Sequence, residues 1–416
     1  MYKIIILLVV LLLLGGFLFL LFSELNKRNQ PPEVINLTVW GFEDEQVMKP
    51  TLQTYETNTP NTKLTYVKQS LINYRTRIQT QIREGVGPDV FLIHNSWLPM
   101  FQADLVPAPA SVINMDEYRA TFIPVSVDNF TKDNQIYGLP SAVDGLVLYY
   151  NEEILAGAGV APPKSWREFI EAATKVTVRD SSGQIKTAGA AMGATKNIDQ
   201  WSQILGLLML QQPGVNISSI NTPSGIEVLR FYTSFIIDPT RKTWDINLGN
   251  STEMFATGKL AFYFGSFDRI FEFQTRNPAL KFKVVPAPQL PHTQVAWASF
   301  WGETVSIGTK HPVEAWQLAK YLTSGEVAQT SNRPSARLDL AAIQIEDPIL
   351  NPFVLQNPFY KSWYLNPGTM DVGINDEMIP VWETGVNDIL TGQDPKGIAD
   401  RITNQTREIL DKYGVK

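Results

Sequence analysis

The sequence predicts an α/β protein of two domains behind a membrane anchor, and three observations carry that expectation. Short apolar runs at 35–40, 64–67 and 90–93 alternate with amphipathic helical stretches, the order that builds a parallel sheet. The chain has 416 residues, 44% of them hydrophobic, enough for two cores. Residues 4–22 are all apolar or glycine, long enough to cross a bilayer as a helix.

That first segment follows Lys3 and precedes Lys27 and Arg28, so flanking charge does not orient it. Leu21 and Phe22 before Ser23 give no small-x-small cleavage site, and the segment exceeds a usual signal core, so an uncleaved signal anchor is expected over residues 1–30. The chain has no cysteine, which excludes a lipidated cysteine, disulfides and thiolate sites. Residues 23–34, polar and proline-bearing, read as a short stalk. Lys3, Lys27 and Arg28 against Glu24 leave residues 1–30 at +2; within a total of −6 the rest carries −8. A mildly acidic body without a long basic run argues against nucleic acid as a partner.

The first strand, 35–40, ends at Gly41, and a helix over about 46–55 runs to the turn before the second strand at 64–67. Leu71, Tyr74, Ile78 and Ile82 stripe a helix that stops at Gly85 and Gly87, and Pro88-Asp89 leads into a third buried strand at 90–93. The unbroken run 146–150 reads as a strand covered on both faces. A short helix from Asn151 closes at Gly157 and Gly159 before Pro162 and Pro163. Ser165-Trp-Arg-Glu168 is a capping box opening a helix that carries Trp166, Phe169, Ile170, Ala173 and Val176 on one face. Residues 190–212 are expected to be helical, 226–237 to be a helix, and 253–262 a helix turning into a strand. Phe282 and Val284 alternate with Lys281 and Lys283 as an edge strand. A strand from Trp301, a helix over 312–322 and a mostly helical 350–416 complete the chain.

Several of these strings together resemble the extracellular solute-binding proteins of ABC importers, in particular the sugar-binding group that includes maltose-binding protein. YGLPSAVDGLVLYYNEEIL with PPKSWREF at 137–169 matches the group's lobe-crossing pattern at more than a dozen positions in order, about a dozen being far beyond chance for ordinary turn and strand signals. GVGPDVF at 85–91, EMFATGKLAF at 253–262, AWQLAKYL at 315–322 and NRPSARLDL at 332–340 are similar to further family elements. The resemblance spans about 35–413 and implies a periplasmic-binding-protein-like fold of two α/β lobes with a ligand cleft and hinge crossings. Lobe 1 would comprise 31–142 and 303–345, and lobe 2 would comprise 143–302 and 346–416. It also implies an N-in orientation of the segment with the bulk of the chain extracytoplasmic, and a permease in the membrane as partner; the anchor itself departs from the family, whose members are often lipoproteins or carry a cleaved signal.

Sugar recognition asks for flat aromatic faces over C–H surface and for carboxylates and amides at hydroxyls. Trp40, at the end of the first strand, is a ligand contact or lobe packing, and Glu43 a hydroxyl acceptor or the first acidic turn of a helix. Trp97 follows the third strand in the same way. Asp144 stands where the resemblance implies an acidic ligand contact. Asn197 and Trp201 would open a sugar-facing helix, with Asn197 equally able to cap it. Ser266 lies in a loop whose family tryptophan is missing here, Phe267 and Asp268 standing nearby. Trp301 flanks the second crossing, Arg337 is a two-pronged donor or a structural ion pair, and Trp363 is cleft rim or interlobe packing.

Enzymatic chemistry has no support: no GxSxG, no HExxH, no phosphate-cradling loop, and His94, His292 and His311 are too far apart for a local metal site. No metal or cofactor is expected. The expected function is capture of a small solute, foremost a carbohydrate, between two closing lobes and its delivery to an ABC permease, with the bilayer held through residues 4–22. A ligand-sensing or surface-attachment domain of the same fold is the alternative, ahead of a secreted glycan-active enzyme.

Overall fold

The computed structural model describes residues 33–370 and 372–415, with Tyr2 and residues 14–16 besides. Its strands in chain order are β1 (Ile35–Gly41), β2 (Thr62–Lys68), β3 (Val90–His94), β4 (Thr131–Lys132), β5 (Gln135–Ile136), β6 (Asp144–Gly145), β7 (Val147–Asn151), β8 (Val178–Arg179), β9 (Ile185–Ala190), β10 (Leu260–Gly265), β11 (Phe282–Pro286), β12 (Ala296–Ser299), β13 (Trp301–Val305) and β14 (Tyr360–Lys361). They form a sheet in the order β13-β3-β1-β2, a second in the order β11-β7-β10-β9-β8, a small sheet β14-β12-β6 and the hairpin β4-β5.

In the first sheet β1 runs parallel to β2 and β3, and β13 closes the β3 edge antiparallel, Trp301 facing His94 and Val305 facing Val90. The helix Tyr74–Arg83 buries Tyr74, Ile78 and Ile82 of the expected stripe, while Leu71 lies in the bend before it. The second sheet centres on β7 and β10, where Val147, Leu148 and Tyr149 are fully buried. Asn151 caps the helix Glu152–Ala158 by accepting from the amides of Glu153 and Ile154, and Gly159 ends it with φ near 60°. At the next helix, Trp166–Val176, Ser165 accepts from the Glu168 amide, but Glu168 reaches back to the Lys164 amide rather than to that of Ser165.

Each large sheet has its own hydrophobic core, one holding Leu37, Phe91 and Trp316 and the other Tyr149, Phe262 and Trp382. The chain passes between the cores at three places. Val143 lies in the first and Leu146 in the second, across β6; Ala296, Ala298 and Phe300 lie in the first while Trp297 inserts into the second, along β12; and Tyr360 belongs to the first while Phe353 and Leu365 belong to the second, around β14. These three passages hydrogen-bond side by side as the small sheet. β13 begins at Trp301, so the return to the first sheet precedes residue 303.

Two expectations need correction, and a third lies outside the described residues. Residues 190–212 are not one helical region: Ala190 ends β9, and the helix is Trp201–Gln211. The C-terminal stretch is helical at Asn351–Val354, Ile374–Leu390 and Pro395–Lys412, but most of the chain between Leu355 and Gly373 is irregular around β14. The anchor segment 4–22 falls, apart from residues 14–16, outside the described residues; among those described, no helix is long and apolar enough to cross a membrane.

Candidate functional site

The carboxyl ends of β1 and β3 and the start of β13 meet at one edge of the first sheet, the place where open α/β sheets bind ligands. An aromatic cluster forms there. The Trp301 ring packs edge-on against Phe42 at 4.9 Å, Trp97 at 5.0 Å and His94 at 5.2 Å between centroids. Trp97 stacks on Phe101 and Tyr74, so its faces are committed to the core, whereas Trp301 and Phe42 keep partial exposure.

A hydrogen-bonded seam crosses from this edge to the other core. His94 Nδ1 lies 2.7 Å from Ser96 Oγ and Nε2 lies 2.9 Å from Ser299 Oγ on β12. Burial pushes the imidazole down to about 3, so the ring is neutral, one nitrogen donating and the other accepting. Asn375, in the helix Ile374–Leu390, donates to Ser96 Oγ at 2.7 Å. Asn95 donates to Asn129 Oδ1 at 2.8 Å and to Ser362 Oγ at 2.6 Å, and accepts from the Phe300 amide at 3.1 Å.

Beside this seam lies a groove of about 720 Å³. Asn95, Ser96, Leu98 and Pro99 with Asp128, Asn129, Thr131 and Lys132 line it, together with Ser362, Trp363, Tyr364 and the segment 413–415. Its lining pairs aromatic rings (Trp363, Tyr364, Tyr413) with amides, a hydroxyl and charges (Asn95, Ser96, Asn129, Asp128, Lys132). Trp363 is backed by Trp382 at 5.9 Å and by Tyr364 at 5.6 Å. Rings of this kind offer faces to C–H surface, and planar polar groups offer donors and acceptors to hydroxyls.

Asp144 sits in β6 at the crossing, its Oδ1 accepting from the Phe267 amide at 2.8 Å. Burial lifts its carboxyl to about 7; the Phe267 N–H opposes the rise, Asp268 adds to it, and Arg333 and the Ser266 hydroxyl oppose it. Asp268 and Arg333 pair at 2.8 Å. Asp144 and Ser266 are thus brought together at the crossing.

Other expected site residues are taken up elsewhere. Trp40 is buried in the first core. Glu43 is exposed at the mouth of the first sheet, where its carbonyl accepts from the Tyr66 hydroxyl. Asn197 donates to the carbonyls of Asp245 and Leu248 and accepts from the Trp244 indole, which leaves no acceptor or donor aimed at a cleft. It does not cap the helix that begins at Trp201, and Trp201 packs into the second core. Arg337 forks onto Asp339 and donates to the Thr323 carbonyl, the structural alternative.

One property separates the tryptophans. Trp166, Trp244, Trp297 and Trp316 donate their indole N–H to protein acceptors. Trp40, Trp97, Trp201, Trp301 and Trp363 have no such partner among the described residues, and neither has Trp382, whose indole N–H is buried in the second core. Asn95, Asn129, Tyr364 and Glu303 stand at the site without having been selected as contacts. Glu303 had a visible signal, the one charged residue inside the strand Trp301–Val305.

Residues 51–342 match the sequence profile of the bacterial extracellular solute-binding protein family. The chain is 24% identical over 344 residues to an ABC transporter-binding protein of Deinococcus radiodurans, covering 75% of this chain and 77% of that protein. It is 22% identical over 312 residues to the melibiose/raffinose/stachyose-binding protein of Bacillus subtilis, covering 68% of this chain and 70% of that one. Among solved structures, the sugar-binding protein MalE from Xanthomonas citri superposes with a TM-score of 0.76 at 18% identity, covering 91% of this chain and 98% of that one.

Proposed function

The chain belongs to the bacterial extracellular solute-binding proteins of ABC importers, a family of binding proteins and not of enzymes, and from that premise we propose that it captures a carbohydrate and delivers it to a membrane permease. The observation that carries the reading is the groove in which Trp363 and Tyr364 face Asn95, Ser96, Asp128 and Asn129. Sugar-binding relatives such as the melibiose/raffinose/stachyose-binding protein support the substrate class.

In this reading lobe 1 comprises 31–142 with 301–345 and lobe 2 comprises 143–300 with 346–416, the expected boundary at 303 moving to the start of β13 and the three strands of the small sheet serving as hinge. Ligand stabilises the closed arrangement by binding it better than the open one. Trp363 stacks on the sugar, the Asn129 amide exchanges hydrogen bonds with hydroxyls while Asn95 holds it in place, and Asp144 with Ser266, and Trp301 at the edge of the first sheet, complete the contacts. Residues 4–22 anchor the chain in the cytoplasmic membrane with the remainder outside, and so hold it near its permease at high effective concentration.

The test is a thermal-shift screen of the full chain in detergent against mono- and oligosaccharides, amino acids, peptides and polyamines. A ligand at one hundred times its Kd stabilises the native state by about 2.7 kcal/mol, a shift of a few degrees. A shift confined to one sugar class, with the sugar recovered intact, is the expected result. A response to amino acids or peptides alone would overturn the carbohydrate assignment.

A further inference from the structure

The first sheet holds a carboxylate that the protein itself does not satisfy. Glu303 lies opposite Leu92 in the β13–β3 register, and Tyr66 and Val90 both lie opposite Val39, so Tyr66, Leu92, Trp301 and Glu303 share one face of the sheet. Tyr74, the first residue of the helix Tyr74–Arg83, packs over that face. Glu303 Oε2 is shut off from solvent and has no hydrogen-bond partner; the Tyr74 hydroxyl is in the same condition. The two are close, since the Glu303 carboxylate adds to the upward push of burial on the phenols of both Tyr74 and Tyr66.

No protein cation answers the carboxylate: Glu303 takes part in no ion pair among the described residues, and burial alone raises its carboxyl to about 8. Arg77, whose guanidinium stands 5.9 Å from the Tyr74 ring centre, is committed to Gln69 and to the carbonyls of Ile72 and Ser70. Rings surround the position instead. Phe42 meets Tyr74 and Trp301 at 4.9 Å each, and Tyr74 meets Trp301 at 6.3 Å. Phe42, Tyr66, Trp301 and Glu303 each keep partial exposure, so the cluster is only partly covered, at the same sheet edge as the seam.

A buried carboxylate without a partner is costly and is normally paired or neutralised. Aromatic faces attract cations and offer nothing to anions. A protonated amine has three donors, suited to a carboxylate and a phenol together. We propose that Glu303, Tyr74 and the rings of Phe42, Tyr66 and Trp301 receive a positively charged amino group of the solute, which makes the substrate an amino-bearing saccharide. The proposal rests on the carbohydrate reading above and narrows its substrate class.

Calorimetric titration of the full chain in detergent near neutral pH tests it, with glucosamine and galactosamine set against glucose and galactose, and with spermidine as a cation that is not a sugar. The amino sugars are expected to bind at least about tenfold more tightly than their parents. Binding should release protons to the buffer, read from two buffers of different ionisation heat, because the cation ionises Glu303. Glu303→Gln should erase both the preference and the proton release, and Tyr74→Phe should weaken the preference while leaving the proton release. Equal affinity for glucose and glucosamine, or a preference that survives Glu303→Gln, overturns the proposal and leaves the carbohydrate reading intact. Binding of spermidine without any sugar keeps the cation site and overturns the carbohydrate reading. Absence of binding by every amine, with a neutral sugar bound, overturns the cation site alone, and silence from all probes overturns it together with the sugar assignment.

Discussion

Replacing Glu303 by glutamine should make the ligand-free protein more stable, and increasingly so as the pH rises. Burial holds the Glu303 carboxyl at about 8 in the folded protein against 4.5 for the ordinary group. Between those values the folded chain keeps a proton that the unfolded chain has released. Folding therefore takes up a proton, and stability falls as the pH climbs through this window, then levels off above it. At about 1.4 kcal/mol per pH unit, the gap amounts to about 5 kcal/mol as an upper figure. Glutamine has nearly the same shape and cannot ionise, so the variant loses this slope. Urea unfolding of both proteins across pH 5 to 9 measures it through the midpoint of the transition that reports on the first sheet. Asp144, also raised, to about 7, is common to both chains and cancels in the difference. The two midpoints should agree near pH 5 and separate steadily to pH 8.5. A separation that does not grow with pH would refute the reasoning, because it would mean the carboxylate has a partner in the folded chain.

Other substitutions probe the remaining parts. Asp144→Asn keeps an acceptor for the Phe267 amide and should cut ligand affinity at least about tenfold with little change in apo melting near pH 6; a lower melting temperature with unchanged affinity would make the residue purely structural. Trp363→Ala, read by titration, should lose about 1–3 kcal/mol of binding with the screened ligand if its ring is a stacking face, and an unchanged Kd would remove it from the site. Gly206→Ala places a methyl into the Trp297 indole and should destabilise by about 1–3 kcal/mol through overpacking; a melting curve matching the parent would show that the helix Trp201–Gln211 can shift freely against the crossing strand.

Much of the fold was legible because its local signals agree with its packing. The strands at 35–40, 64–67 and 90–93, the stripe ending at Gly85, and the cap at Asn151 are all found where the pattern sets them. The exception at 190–200 has a physical cause. Alanines at 188 and 190 suggest a helix by propensity, but they pair with Leu260 and Phe262 in the sheet, and Gly189 lies so close to the Ala173 carbonyl that a Cβ would collide with it. Small residues there serve close approach of sheet and helix. The site was less legible, because a tryptophan after a strand has the same sequence context whether it packs inward, as Trp97 does, or lines a groove, as Trp363 does. Asn197 and Arg337 show the same ambiguity, since local backbone and carboxylate partners consume donors that the sequence leaves open.

The three side-by-side crossings carry a consequence for biogenesis. β3 is complete at His94, but the strand that covers its open edge, β13, starts at Trp301. While the chain emerges from its translocation channel, that edge stays unpaired for roughly two hundred residues, a template for mispairing with other chains. The strands of the second sheet all precede β13 in the chain, but its core also waits for Trp382, Val386 and Ile402 from the C-terminal helices. The first sheet is thus sealed by β13 before the second core receives its last helices, although the first sheet begins earlier and stays open longest.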